Sequence, residues 1–360
     1  MKICYLADAN STHTKKWCGF FKKKGYDIHV ISLNDGQIEG VTVHSFNKDL
    51  DKIRKGSSFS KISYIKYFKH IKNIIGKIKP DILHAHYATS YGLLGALSGF
   101  HPYVLSVWGS DVFDFPKEGF LQTLMIKYNL SKADVILSTS KVMAKETKNY
   151  TNKEIVVTPF GVDIDKFKPK FKKNSNEIII GTVKTLEAKY GIEYLVRAFK
   201  KAKEKCPNKN IKLEIAGKGS QKEYLKDLCK ELNIDDDVKF LGFLNADEVI
   251  ESFNRFDIAV FPSTLDSESF GVAAVEAQAC GTPVIVSNVG GLPEATNPGV
   301  SSLLVDKEDV HSLSKAIIKL IGNEKLRCNM GVNGREFVEE NFNIKDNFNK
   351  VDDIYKSLIK

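Results

Sequence analysis

The sequence predicts an α/β protein built from two doubly wound parallel-sheet domains in tandem. Three observations carry this reading. The chain has 360 residues, and at about 100 to 200 residues per domain that length fits two. Short β-branched runs alternate with amphipathic segments from end to end, the pattern of βαβ units whose helices cover both faces of a parallel sheet. The alternation lapses once, over 160–176, where a polar and basic stretch carries Pro169 and no apolar period; it reads as a linker.

Taken in order, the strands of the first half are predicted over 3–7, 28–33, 41–45, 82–85, 103–107, 135–138 and 155–158. Each is an apolar run too short for a helix and rich in Ile, Val and Leu, as strands buried on both faces require. The second half repeats the scheme over 178–183, 212–216, 238–241, 258–261, 284–287 and 302–305. Helices fill the intervals. The domains then run over 1–168 and 169–342, with an interdomain cleft as the natural ligand site.

Composition narrows the class. With 42% hydrophobic and 27% charged residues, a disordered chain, a collagen-like repeat and a polytopic membrane protein are excluded. No apolar run approaches the roughly 18 residues of a membrane span, and residues 1–7 are too short an apolar stretch for a signal peptide. The expected location is the cytoplasm, with peripheral attachment to the inner face of the cell membrane. The cysteines at 4, 18, 206, 229, 280 and 328 form no CxxC pair and read as reduced thiols, not a zinc site or disulfide framework.

Charge is uneven. The chain holds 53 Lys+Arg against 44 Asp+Glu, but residues 1–170 hold 26 against 15, and the remainder 27 against 29. The basic excess therefore says what the first half touches. Within it, 60–79 carries Ile62, Ile65, Phe68, Ile71, Ile75 and Ile78 at helical spacing among six lysines. This basic amphipathic helix predicts contact with an anionic membrane surface, against the plainer reading of a packed helix with solvated lysines. Nucleic acid is not an expected partner, because no binding motif accompanies the charge.

In open parallel sheets ligands sit outside the carboxyl ends of the strands, so the turns after strands are where chemistry is sought. Glu268-Ser-Phe-Gly-Val-Ala-Ala-Val-Glu276 follows the strand 258–261. It offers a helix N-terminus behind Gly271, suited to phosphate, with Glu276 in an otherwise apolar stretch. Lys184 and Lys189 follow the strand 178–183 and can neutralise a diphosphate. Gly217-Lys-Gly219 follows the strand 212–216; it either admits a ligand to the backbone or makes a tight turn. In the first half, His84-Ala-His86-Tyr and Trp108-Gly-Ser-Asp111 stand at neighbouring strand ends. His84 and His86 share a strand face but find no third ligand, and the acidic pairs at 163/165 and 235–237 do not follow strands, so no metal is assigned.

Together these motifs, with Ser11-Thr-His13-Thr14, Gly161-Val-Asp163 and Gly290-Gly-Leu-Pro-Glu294, resemble glycosyltransferase family 4, retaining enzymes of GT-B fold. The resemblance spans nearly the whole chain, and the two glutamates separated by seven residues are its most specific mark. It implies a donor site in the second domain, an acceptor site in the first, no metal or other cofactor, and a C-terminal helix over 343–360 that packs back on the first domain. Residue by residue it implies that Glu268 holds the donor sugar's hydroxyls. Phe270, Gly271 and Val272 bring backbone near sugar and diphosphate, with Gly217 and Gly219 also on the donor side. Glu276 binds the ribose, and Lys184 (usually Arg in the family) and Lys189 take charge off the leaving diphosphate. His86 and Asp111, with His13, Thr14, His84 and Trp108, are implied on the acceptor side; Trp108 stands where the family usually has His. The implied activity is transfer of a hexose from a nucleoside-diphosphate sugar, a uridine-diphosphate sugar favoured, to a lipid-linked or surface-glycan acceptor in polysaccharide biosynthesis. The alternative is a non-catalytic nucleotide-sugar-binding partner of another transferase. A nicotinamide-dependent dehydrogenase is excluded by the turn after the first strand, Asp8-Ala-Asn-Ser-Thr-His13, which has no glycine.

Overall fold

The computed structural model describes residues 1–46, 67–170 and 177–359. The chain divides into two compact units, Met1–Pro159 with Asn347–Lys360, and Phe160–Asp346. All thirteen expected strands are present.

The first unit is a seven-stranded sheet of β1 (Lys2–Leu6), β2 (Asp27–Ser32), β3 (Thr42–Ser45), β4 (Ile82–His86), β5 (Tyr103–Val107), β6 (Val135–Ser138) and β7 (Ile155–Val157). Their order is β3-β2-β1-β4-β5-β6-β7, and every neighbouring pair is parallel. β4 and β5 are buried along their whole length, which is why they read as near-continuous apolar runs. The strand order reverses between β1 and β4, paired from Ile3↔Ile82 to Leu6↔Ala85, and that reversal opens a crevice at their carboxyl ends.

The second unit repeats the design with six strands: β8 (Glu177–Val183), β9 (Asn210–Ala216), β10 (Val238–Gly242), β11 (Ile258–Phe261), β12 (Val284–Ser287) and β13 (Ser302–Val305). The order is β10-β9-β8-β11-β12-β13, so this sheet reverses between β8 and β11. Each unit has its own core, one around Leu6, Leu83, Leu105 and Ile136 and the other around Ile180, Leu213, Val260 and Ile285. Both sheets are Rossmann-like.

The helix Ile344–Leu358 enters the first unit's core through Phe348, Val351 and Tyr355. Phe348 packs on Trp17 and Phe20. Asp352, itself buried, accepts from the Tyr26 hydroxyl at 2.7 Å and pairs with Lys24 at 2.8 Å and Lys356 at 2.7 Å. Burial alone would raise its pKa; these three partners outweigh that and hold it below the ordinary value.

Of the basic helix expected over 60–79, residues 60–66 lie outside the described residues. The rest forms the helix Phe68–Ile78, whose Ile71, Ile75 and Ile78 are buried, with Tyr67, Phe68 and Ile74 packed against the same core. The apolar stripe is turned into the protein and Lys69, Lys72 and Lys77 face outward. For these residues the structure shows the packed helix with solvated lysines.

Candidate functional site

In the second unit the reversal between β8 and β11 sets the turn after Val183 beside the loop after Phe261. It brings together three residues expected to act on the donor. Lys184 Nζ lies 2.7 Å from Glu268 Oε2, with side chains 18% and 10% exposed, and the Ser263 hydroxyl donates to the same oxygen at 3.2 Å. Lys189 joins them through Tyr190: the two ammonium groups stand 4.4 and 5.1 Å from the centre of its ring, a cation–π arrangement. The Thr264 N–H donates to the Lys189 carbonyl at 2.9 Å, fastening the 184–191 turn to the 262–270 loop.

Glycines make these loops fit. Gly217 has φ +144°, and a Cβ there would lie 1.9 Å from the Lys184 carbonyl oxygen; at Gly219 it would lie 2.2 Å from that of Leu186. At both glycines it is the chain's own backbone that leaves no room for a side chain. Phe270 sends its ring into the core, 5.1 Å from Phe342 and 6.4 Å from Phe160, so only its backbone is available to a ligand.

Gly271, at φ +84°, then starts the helix Val272–Ala279 with no side-chain cap and no acid in the first turn. Its first N–H groups are therefore open to an anion. Along this otherwise buried helix the half-buried positions are Val272, Ala273 and Glu276. They share one face, since residues one turn apart stack. The structure thus brings Lys184, Lys189 and Glu268 together at one strand end, and the helix that carries Glu276 begins four residues after Glu268.

The first unit is different, and several expected acceptor-side residues are occupied elsewhere. His84 is wholly buried; Nδ1 meets the Tyr355 hydroxyl at 2.5 Å and Nε2 the Ser106 hydroxyl at 2.7 Å. With both ring nitrogens bonded inside the protein it has none to offer an acceptor, and burial pushes its pKa down to about 3. Asp111 is also wholly buried. Its carboxylate accepts from the backbone N–H of Ala88 at 2.7 Å, Gly109 at 2.7 Å and Trp108 at 3.1 Å, so it braces the loops after β4 and β5. Burial raises its pKa against the opposing effect of those bonds. Thr14 is buried with its hydroxyl unpartnered.

What remains is aromatic. His86 is buried among the rings of Tyr5, Trp17, His84 and Trp108, the last with centroids 4.7 Å apart, and neither of its nitrogens has a hydrogen-bond partner. His13 also packs on Trp108, at 5.7 Å, and burial with Lys16 nearby lowers its pKa to about 4. Trp108 and His13 are only partly buried, so they alone of this group reach the surface of the strand-end region. Two residues escaped the sequence reading. Tyr190 was visible in the turn but not as the platform under both lysines. Tyr87 sits just after β4 at φ +80°, a conformation rare for a bulky residue, with its hydroxyl 2.5 Å from that of Ser110.

These buried imidazoles predict acid sensitivity. The unfolded chain takes up their protons near pH 6.5, whereas in the folded unit His84 and His13 do so only near 3 and 4. Their neutral burial leaves stability intact above pH 6.5 and erodes it as pH falls from there toward 4, by at most about 1.4 kcal/mol per pH unit for each group. Melting temperature is expected to fall over that window and to fall less steeply in His84→Asn; equal slopes would remove His84 as a source.

An uncapped helix terminus, two lysines and a glutamate stand at the strand-order reversal of a Rossmann-like sheet. Residues 163–337 match the family model "Glycosyl transferases group 1" and residues 2–140 match "Glycosyl transferase 4-like"; the chain belongs to the family 4 type of GT-B glycosyltransferases. It is similar to an uncharacterized glycosyltransferase of Methanocaldococcus jannaschii, 29% identical over 87% of this chain and 85% of that one. A capsular polysaccharide biosynthesis glycosyltransferase, CapM of Staphylococcus aureus, is 26% identical over 95% and 92%. Among solved structures, Anabaena HepE in complex with UDP superposes with a TM-score of 0.81 at 19% identity, covering 99% of this chain and 100% of that one.

Among the described residues no group of three or more His, Cys, Asp or Glu is arranged to hold a metal ion, and no helix is long and apolar enough to cross a membrane.

Proposed function

We propose that the chain is a retaining, metal-independent transferase that moves a sugar from a uridine-diphosphate sugar to a lipid-linked or surface-glycan acceptor. The observation that carries this reading is the meeting of Lys184 and Lys189 on the Tyr190 ring with Glu268 against Lys184, four residues before the uncapped helix Val272–Ala279 that carries Glu276 one turn in. The similarity to a capsular polysaccharide enzyme supports the acceptor class, and the UDP complex of the Anabaena protein supports the base.

The chemistry follows from the parts. As the bond between the anomeric carbon and the leaving phosphate oxygen breaks, positive charge spreads over the sugar ring and negative charge grows on the diphosphate. Lys184, Lys189 and the N–H groups after Gly271 stabilise that growing charge from fixed positions, which is how preorganised sites lower barriers. Glu268 exchanges its contact with Lys184 for the sugar hydroxyls, and Glu276 holds the ribose. The acceptor oxygen forms the new bond from the face the phosphate leaves, and its proton passes to the departing phosphate. No enzyme nucleophile is needed.

Proton NMR of fresh product tests this directly. The anomeric configuration of the donor is expected in the product; the inverted anomer would contradict the mechanism. Trp108, where the family usually has His, favours a second reading as a non-catalytic nucleotide-sugar-binding partner, which predicts binding with no turnover on any acceptor.

A further inference from the structure

We propose that the Lys184–Glu268 pair makes this site select a sugar-bearing nucleoside diphosphate over a bare one, and so expels the spent nucleotide as the pair re-forms. The inference rests on the donor reading of the two residues and adds what their contact does. Lys184 Nζ stands 2.7 Å from Glu268 Oε2, with side chains 18% and 10% exposed, so each is the other's counter-charge. The Ser263 hydroxyl also donates to that carboxylate oxygen, at 3.2 Å. The loop holds Glu268 where it is. The Gly291 N–H donates to the Glu268 carbonyl at 2.8 Å, and a Cβ at Gly290 would lie 2.2 Å from the same oxygen.

Two ligands then differ in kind. An ammonium donates and suits phosphate oxygens, whereas a carboxylate only accepts and suits hydroxyls. A sugar-bearing diphosphate answers both: its phosphates take Lys184 and its hydroxyls donate to Glu268, so two charge-assisted contacts replace one. A bare diphosphate answers Lys184 alone. It leaves a mostly buried carboxylate with the Ser263 hydroxyl but no cation, beside a new anion, and parting a largely buried pair in this way is strongly unfavourable. Lys184 changes partners without losing its place, because the Tyr190 ring stands 4.4 Å from its ammonium. Once the sugar has left for the acceptor, Glu268 reclaims Lys184 and loosens the hold on the diphosphate. Penalising the wrong ligand while rewarding the right one is how a site builds specificity.

The test is calorimetric titration with UDP alone of the full chain, Glu268→Gln, Lys184→Met and the double variant, with melting temperatures to establish that each folds. Glu268→Gln keeps the size of the side chain but gives Lys184 no counter-charge. It is expected to bind UDP about tenfold or more tightly than wild type and to turn over more slowly. In the Lys184→Met background the same change is expected to move UDP affinity by no more than about twofold, because the cycle isolates the pair. Equal gains in both backgrounds would mean plain repulsion between Glu268 and the ligand and would overturn the proposal. So would a Glu268→Gln variant that binds UDP no more tightly than wild type. A second measurement needs no variant: at least one of UDP-glucose, UDP-galactose and UDP-N-acetylglucosamine is expected to bind wild type more tightly than UDP, and UDP outranking all three would also overturn it. Absence of UDP binding by all four proteins is a different failure, since it removes the donor reading itself and the proposal with it.

Discussion

Lys184→Ala lowers kcat/KM for the nucleotide sugar by about 10²–10³-fold, the range seen when one preorganised group facing developing negative charge is removed. The Tyr190 ring, 4.4 Å from its ammonium, holds Lys184 in place as Glu268 turns to the sugar, so the charge meets the diphosphate without first being ordered. Lys184→Arg retains most of the activity, because it keeps the charge and adds a fork suited to phosphate. Steady-state kinetics on the three proteins check this. Equal rates for wild type and the alanine variant would place the cation elsewhere.

Asp111→Ala destabilises the first unit by about 3 kcal/mol, because buried N–H groups left unsatisfied cost about 1–3 kcal/mol each. The carboxylate is the acceptor for three of them, on Ala88, Trp108 and Gly109. Denaturant unfolding reads the loss. Asp111→Asn loses less, since one amide oxygen still accepts. A catalytic role would give the opposite pattern, with unchanged stability and a large fall in kcat.

How far the sequence could be read follows from the range of the contacts. The strands were legible because a strand buried on both faces is a largely apolar run, as β11 is throughout and β5 is but for Ser106. The donor motif was legible because a glycine, a helix start and a carboxylate lie within nine residues of sequence. That Glu268 meets Lys184 was not, since it depends on β8 lying next to β11. The two histidines of β4 show the limit most clearly. Their period of two sets both on one face, but His84 is satisfied by Tyr355, 271 residues away, while His86 finds only rings. Asp111 likewise finds its partners on two loops, after β4 and β5, that meet only in the fold.

The most direct measurement of the central claim, that the β8/β11 end of the second unit binds a nucleoside diphosphate, is calorimetric titration of the chain with UDP and GDP in EDTA. Saturable binding of UDP is predicted, lost together with turnover in Glu276→Gln. Absence of binding by either diphosphate, or binding that Glu276→Gln leaves unchanged, would contradict it.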